Sequence, residues 1–470
     1  MSASPAGAAH SRSATGPPAP RPRVVALIDG EHYPPVVRFA LERLGEECDV
    51  VGLAFAGGTE KVGAADDLTA YGQEVARGDS PDAALAEAIA RHRPDEVVDL
   101  SDEPIVSAQD RMRLASLALG AGVAYRGADF RFEPPRLGYK PATPTLSIIG
   151  TGKRVGKTAV SAEVARRLTA HGIDLVVLAM GRGGPARPEV IRGDKVALTT
   201  ADLLALAAQG VHASSDNYED AVMARVTTVG SRRCGGGMAG ETFFGNVEEG
   251  AAVADALGKQ LLIAEGSGAA LPPVRPDATL LVIGAAQGAG YVTGFMNPYR
   301  LGGADAVVVA GAEEVLGTMT RAREVVAAVR ALRPEMRVTV ARFRPRPIEP
   351  ITGRRVFFAT TAPEALLPVL VADLERDEGC TVVASSANLS DRDRLRADLA
   401  ASPDCDVLLT ELKAAAVDVV AAAGADAGLP TILCDNVPIT VDGDGLDVLI
   451  DGLGELALLR GEARREGAPT

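Results

Sequence analysis

Short apolar runs alternate with stretches of helical spacing along most of the chain. Residues 23–28 form a run rich in β-branched side chains that ends at Asp29-Gly30, and residues 34–44 carry apolar positions at helical intervals. A second run, 49–56, closes at Gly57-Gly58. Residues 83–90 are helical, 96–100 form a third run, and 111–119 read as a helix that Gly120 stops. Strand and helix patterns in alternation predict a parallel sheet with crossover helices, here an N-terminal Rossmann-like α/β domain over residues 23–140.

The alternation resumes after the joint Pro141-Ala142-Thr143-Pro144. Strands are expected at 145–149, 174–179, 260–264, 279–283 and 306–309, with helices between them. Residues 342–350 are rich in Pro and Arg and read as a linker. Four further strands are expected at 355–359, 381–384, 406–409 and 430–434, either a third α/β domain or an extension of the central one. No internal repeat recurs at a fixed period. The expected organisation is a multidomain α/β protein: a disordered tail over 1–22, the N-terminal domain, a central domain over 141–345 and a C-terminal part over 346–470.

Composition narrows the classes of function. A chain of 470 residues exceeds one compact core and predicts two or three domains. Aromatic residues make up 4% and Trp is absent, too few rings for a single-stranded nucleic-acid platform. A net charge of -14 opposes both nucleic acid and anionic membranes as partners. An anionic small molecule must then be held by a local basic cluster. The five cysteines, Cys48, Cys234, Cys380, Cys405 and Cys434, show no CxxC pair. They fit a reduced, cytoplasmic protein. The Ser/Ala/Pro-rich start lacks the apolar run of a signal peptide, and no segment reaches the roughly 18 apolar residues of a membrane span.

The strongest motif is Gly150-Thr151-Gly152-Lys153-Arg154-Val155-Gly156-Lys157-Thr158. It follows a strand and precedes an amphipathic helix over 159–170, the setting of a phosphate-binding loop. Backbone N–H groups and the helix N-terminus would face ATP phosphates, Lys157 would neutralise the β- and γ-phosphates, and the Thr158 hydroxyl would ligate Mg2+. The usual GxxxxGK[ST] pattern places its first glycine at position 151, where this chain has Thr. The form here resembles dethiobiotin synthetase and its P-loop relatives. A second acidic ligand for Mg2+ is expected at Glu265, where the apolar strand Leu261-Leu262-Ile263-Ala264 ends in Glu265-Gly266.

Two glycine-rich segments carry arginines. Met180-Gly181-Arg182-Gly183-Gly184-Pro185 pairs a fork of donors with a backbone that a phosphate can approach. Ser231-Arg232-Arg233-Cys234-Gly235-Gly236-Gly237 is denser, and Arg182, Gly183, Gly184, Arg232, Arg233, Gly235 and Gly236 are the expected substrate contacts. Lys157, Glu265, Arg232 and Arg233 are the candidates for catalysis. Cys234 has no nearby His to activate it and reads as structural. The polar stretch 212–220 offers either a general base or a helix-capping run. Asn297 and Arg300 are weaker candidates near the nucleotide. In the first domain, Asp29, Glu31 and His32, residues 57–61 and residues 99–103 stand at strand ends, where open α/β sheets bind ligands.

Taken together, Val25-Ala26-Leu27-Ile28-Asp29-Gly30-Glu31-His32-Tyr33-Pro34, Gly57-Gly58-Thr59-Glu60-Lys61, the P-loop, Met180 to Pro185, Thr228 to Gly240 and Phe357-Phe358-Ala359-Thr360-Thr361-Ala362-Pro363 resemble the cyclic 2,3-diphosphoglycerate synthetase family. The resemblance spans nearly the whole chain after the tail. It implies a Mg-ATP-dependent ligase that closes 2,3-bisphosphoglycerate into a cyclic pyrophosphate with release of ADP and phosphate, and a homodimer is compatible with it. Two other readings remain open: a P-loop kinase or ligase acting on another small phosphorylated or carboxylate substrate, and a nucleotide-gated switch or metallochaperone.

Overall fold

The computed structural model describes residues 20–62 and 68–467. The tail expected over residues 1–22 falls outside the described residues as far as residue 19. The described residues divide into two compact units, one drawn from Met1–Ser107 with Ala121–Phe132 and the other from Ala108–Gly120 with Glu133–Thr470. No helix among them is long and apolar enough to cross a membrane.

The first unit contains β1 (Arg23–Ile28), β2 (Asp49–Phe55), β3 (Val75–Ala76), β4 (Glu96–Asp99), β5 (Ala124–Arg126) and β6 (Arg131–Phe132) in the order β3-β2-β1-β4-β5-β6. All neighbours are parallel except β5 and β6. Asp29, fully buried at the end of β1, is committed to the turns there. Its Oδ1 accepts the backbone N–H groups of Glu31 and His32, each at 3.0 Å, and lies 2.9 Å from His32 Nδ1. Its Oδ2 accepts the N–H of Asp102 at 2.7 Å, which ties the loop after β4 to the loop after β1.

The second unit is built on a 13-stranded sheet. Its strands are β7 (Thr145–Gly150), β8 (Leu175–Gly181), β9 (Glu189–Arg192), β10 (Thr227–Cys234), β11 (Phe244–Gly245), β12 (Leu261–Glu265), β13 (Ala278–Gly284), β14 (Ala306–Ala310), β15 (Arg337–Pro347), β16 (Arg355–Ala359), β17 (Thr381–Ser386), β18 (Val407–Glu411) and β19 (Thr431–Gly443). The order is β11-β10-β8-β12-β7-β13-β14-β15-β19-β18-β16-β17, with β9 on β10. From β10 through β15 every neighbour is parallel. The C-terminal ends of these strands therefore share one edge. β7, β8, β12, β13 and β14 are buried along their whole length, as a parallel sheet covered on both faces requires. The helices Lys157–Ala170 and Leu446–Arg465 contribute to the apolar cluster on one face, and Thr318–Leu332 to the cluster on the other.

The linker expected over 342–350 is instead largely strand. β15 runs to Pro347 and pairs antiparallel with β19 as far as Pro347↔Cys434. Its prolines are tolerated because its pairing with β14 ends at Ala341, so Pro345 and Pro347 need no donor on that side. Through β19 the strands of the last third join the same sheet. Residues 231–234, expected on a glycine-rich loop, instead end a strand, β10, which places Arg232 and Arg233 near its end.

Candidate active site

The P-loop occupies the turn between β7 and the helix Lys157–Ala170, in the middle of the shared edge. Gly156 has φ +88° and Arg154 φ +61°, so the loop takes the left-handed backbone just before the helix. Lys157 is 8% exposed and folds back over the loop: its Nζ donates to the Gly152 carbonyl at 3.2 Å, and a Cβ on Gly150 would stand 2.6 Å from Lys157 Cδ. Burial pushes the Lys157 ammonium down to about 8, against the pull of Glu265 and Asp216. Val155 is buried beneath the loop, while Lys153 and Arg154 are exposed.

Thr151, where the usual pattern has glycine, is fully buried. Its hydroxyl hydrogen-bonds Gln287, its N–H donates to Val282 O at 3.1 Å, and its carbonyl accepts the Tyr291 hydroxyl at 3.2 Å. The side chain thus anchors the loop to the turn after β13, a contact that glycine would lack.

Glu265 ends β12 in register with Ile148 of β7 and Ala179 of β8. It is 3% exposed, and neither carboxylate oxygen has a hydrogen-bond partner. Burial first, then Asp216, pushes its pKa up to about 7. Asp220 is its neighbour, 1% exposed and also without a partner on either oxygen; burial and then Glu265 raise it well above the usual carboxylate range. Asp220 belongs to the helix Asp216–Met223, which Ser215 precedes without capping it. Asp216, at the start of that helix, acts electrostatically on Lys153, Lys157, Arg233 and Glu265.

The two arginine segments meet beside this group because β8 and β10 are adjacent and parallel, with Arg232 in register with Gly181. Alternation along β10 separates the two arginines. Arg232 is exposed, and its Nε donates to the carbonyls of Gly184 and Pro185 at 3.1 and 2.7 Å. Asn246 completes that clasp, accepting the Arg232 N–H at 2.7 Å and donating to Ala186 O at 3.1 Å. Arg233 turns to the other side. Its Nη1 donates to Gly235 O at 2.9 Å, its Nη2 to Ser267 O at 2.6 Å, and its buried Nε has no partner. Burial and then Arg182 lower its pKa, and Arg182 is also the first cause lowering Lys153. The charge of Arg182 thus acts on Lys153, Lys157 and Arg233 alike.

Close approaches fix the glycines. A Cβ on Gly184 would stand 2.0 Å from Ser231 O, and one on Gly183 2.4 Å from His212 Cδ2. Gly235 has φ +73°, and Gly236 leaves its neighbour Arg233 room, with 3.1 Å between a built Cβ and Nη1. Asn297 and Arg300 are buried scaffold: the Arg300 guanidinium donates to the carbonyls of Met296, Met238 and Ala269. Asp220 lies in the stretch 212–220, expected to offer a general base or a helix-capping run without any one residue singled out, and Gln287 has no motif of its own.

A buried lysine folded over a glycine-rich strand-to-helix turn, with an acidic residue ending the next strand, defines a P-loop nucleotide-binding protein. Residues 23–133 match the family model described as "Cyclic 2,3-diphosphoglycerate synthetase, N-terminal domain", 145–341 the one described as its "P-loop domain", and 347–437 its "C-terminal domain". A cyclic 2,3-diphosphoglycerate synthetase of Rubrobacter xylanophilus is 48% identical, over 90% of this chain and 95% of its own. That of Methanothermobacter thermautotrophicus is 44% identical, over 93% and 96%. The chain belongs to the cyclic 2,3-diphosphoglycerate synthetase family. Among solved structures, LpxK from Aquifex aeolicus in complex with ATP matches at 12% identity and TM-score 0.37, over 67% of this chain and 89% of its own, so the assignment rests on sequence.

Proposed function

We propose that this protein uses Mg-ATP to close 2,3-bisphosphoglycerate into cyclic 2,3-diphosphoglycerate, releasing ADP and phosphate. Beside the family assignment, one observation carries the reading: positive charge is concentrated at the P-loop, where Arg182 acts on Lys153, Lys157 and Arg233 alike. A second polyanion beside the nucleotide would need such excess positive charge to offset repulsion.

In this reading the backbone of residues 150–158 and Lys157 hold the ATP phosphates, and Arg182, Arg233 and the glycine backbone at 183, 184, 235 and 236 hold the substrate. Arg232 supports the substrate loop through Gly184 and Pro185. One substrate phosphate oxygen attacks the γ-phosphorus, and the bond to the β-phosphate bridging oxygen breaks, leaving ADP. The other substrate phosphate then attacks the phosphorus so activated. The transferred phosphoryl group leaves as inorganic phosphate, and the pyrophosphate ring closes. Clamping both substrate phosphates makes the second step intramolecular, where proximity supplies a large rate factor.

Mg2+ fits the residues present. Glu265 offers two buried, unpartnered carboxylate oxygens, and Thr158 stands at the start of the helix next to Lys157. When bound, the cation would neutralise charge developing on the bridging phosphate oxygens. Among the described residues no group of three or more His, Cys, Asp or Glu could hold a metal alone. Phosphate oxygens and water are therefore needed to complete its ligands.

Further parts of the reading are a dethiobiotin synthetase-like P-loop domain over 141–345, a Rossmann-like domain over 23–140, a C-terminal part over 346–470, a homodimer and a cytoplasmic location. No nucleic acid or membrane enters as a partner. The test is ADP formation. It should require 2,3-bisphosphoglycerate, and Lys157→Ala should reduce it by about a hundredfold or more. ADP formation at full rate without that substrate would overturn the reading.

A further inference from the structure

The helix Asp216–Met223 sends its acidic side chains in two directions. Asp216 and Asp220 are four residues apart and share a helix face. Asp216 acts on Lys157 and on Glu265, and Asp220 on Glu265. Glu219, one position before Asp220, turns toward the last third of the chain. Its Oε1 lies 3.1 Å from Lys413 Nζ, and the carboxylate is buried.

Lys413 follows β18, whose last residue Glu411 accepts the hydroxyls of Thr360 and Thr361. Burial opposes the charge on Lys413, but Glu219, Glu411 and Asp435 outweigh it and hold the ammonium above its ordinary value, whereas burial pushes the Glu219 carboxyl up to about 8 against the pull of Lys413. Around the pair, Tyr218, Val222 and Met223 belong to one apolar cluster with Leu412, Val417 and Leu433. Ser214 Oγ donates to Ala414 O at 3.1 Å. On the P-loop helix, Arg166 pairs with Asp435 of β19 and donates to Met223 O at 3.3 Å. The last third of the chain thus grips the helix that flanks the P-loop, and Lys413 sets a positive charge against its Glu219.

We propose that Lys413 is a positioning residue of the nucleotide site: by pairing with Glu219 it fixes the helix Asp216–Met223 so that Asp216 and Asp220 face Lys157 and Glu265. The last third of the chain is thereby coupled to Mg–nucleotide binding. This rests on the reading of the P-loop as a Mg-ATP site.

The test titrates a non-hydrolysable ATP analogue into the full chain by calorimetry, with Mg2+ and with a chelator instead. Wild-type protein should bind the analogue more tightly with Mg2+; if it does not bind at all, the P-loop reading fails rather than the positioning role. Lys413→Met should bind about tenfold more weakly in Mg2+ and little changed in chelator, because it leaves the Glu219 carboxylate buried without its partner. Lys413→Arg should stay within about threefold of wild type. Adding Glu219→Gln to Lys413→Met replaces the unpartnered buried carboxyl with a neutral amide and should recover most of the loss. If Lys413→Met does not fold, Lys413→Arg and the double variant carry the test. The proposal is overturned if Lys413→Met binds as wild type does, if it weakens binding equally with and without Mg2+, if the double variant is no better than the single one, or if Lys413→Arg loses as much as Lys413→Met.

Discussion

The ring of Phe343, from β15, lies against the α-carbon of Gly156, the residue before the P-loop lysine. A Cβ on Gly156 would stand 2.2 Å from Phe343 Cζ, and the backbone there has φ +88°. A distant strand thus closes over the turn that the nucleotide phosphates require. Gly156→Ala should push the ring away and strain the backbone, at roughly 1–3 kcal/mol for the strain alone. Calorimetry should show ATP binding weakened by about tenfold or more, a figure equivalent to about 1.4 kcal/mol. Adding Phe343→Ala makes room without relieving φ, so affinity should stay below wild type. Unchanged binding in Gly156→Ala would contradict this account of the loop.

Glu265 makes a prediction in which stability and function part. Burial, then Asp216, raises its pKa to about 7, so the folded chain holds this proton more firmly than the unfolded chain does. The stability of the ligand-free protein from this group is therefore fully present below the ordinary carboxylate value and is lost as pH rises through about 7. Glu265→Gln should match wild type in thermal unfolding at acid pH and exceed it at pH ~8, by on the order of 1–3 kcal/mol. It should also lose Mg2+-dependent ATP turnover. A variant less stable than wild type at the higher pH would contradict the burial argument.

Arg232 and Arg233 are adjacent in sequence and separate in role. Arg233→Ala removes one of the four cations and should raise KM for 2,3-bisphosphoglycerate by about tenfold or more, with an effect that shrinks at high salt. Arg232→Ala frees the carbonyls of Gly184 and Pro185 and should raise KM less, with weaker salt dependence. Steady-state kinetics at two ionic strengths separate the two, and the reverse ranking would contradict the geometry.

The strand-to-helix setting of the P-loop was legible because it is local: residues 145–149 were expected as strand and Thr145–Gly150 is strand, and the helix begins at Lys157. Likewise, 355–359 was expected as strand and is strand. What sequence did not show depends on register and pairing. Pro345 and Pro347 read as breakers, yet the pairing with β14, to which they would deny a donor, ends at Ala341. Arg232 and Arg233 read as one pair, but strand alternation sends them apart. Asp220 and Lys413 carry no motif, and only the packing of the last third against the helix Asp216–Met223 gives them meaning.

An ion pair between Arg464 and the buried Asp277 helps to hold the C-terminal helix to the central sheet, beside its apolar packing and the Arg460–Asp305 pair. Arg464 Nε and Nη2 each lie 2.8 Å from an Asp277 oxygen, Nη1 donates to Pro141 O at 2.6 Å, and Asp277 Oδ2 also accepts the N–H of Thr145 at the start of β7. Arg464→Met would leave Asp277 buried without its cation and should cost about 3–5 kcal/mol of stability in chemical denaturation. Nucleotide affinity of the folded fraction should hardly change. A loss below about 1 kcal/mol would place the pair among exposed, weak ones.

The central claim is ring closure, and phosphorus NMR of the purified protein with Mg-ATP and 2,3-bisphosphoglycerate tests it most directly. The account predicts new cyclic pyrophosphate resonances that grow in step with ADP and inorganic phosphate. ADP and phosphate accumulating while 2,3-bisphosphoglycerate stays intact, or a phosphorylated product that never closes, would contradict it.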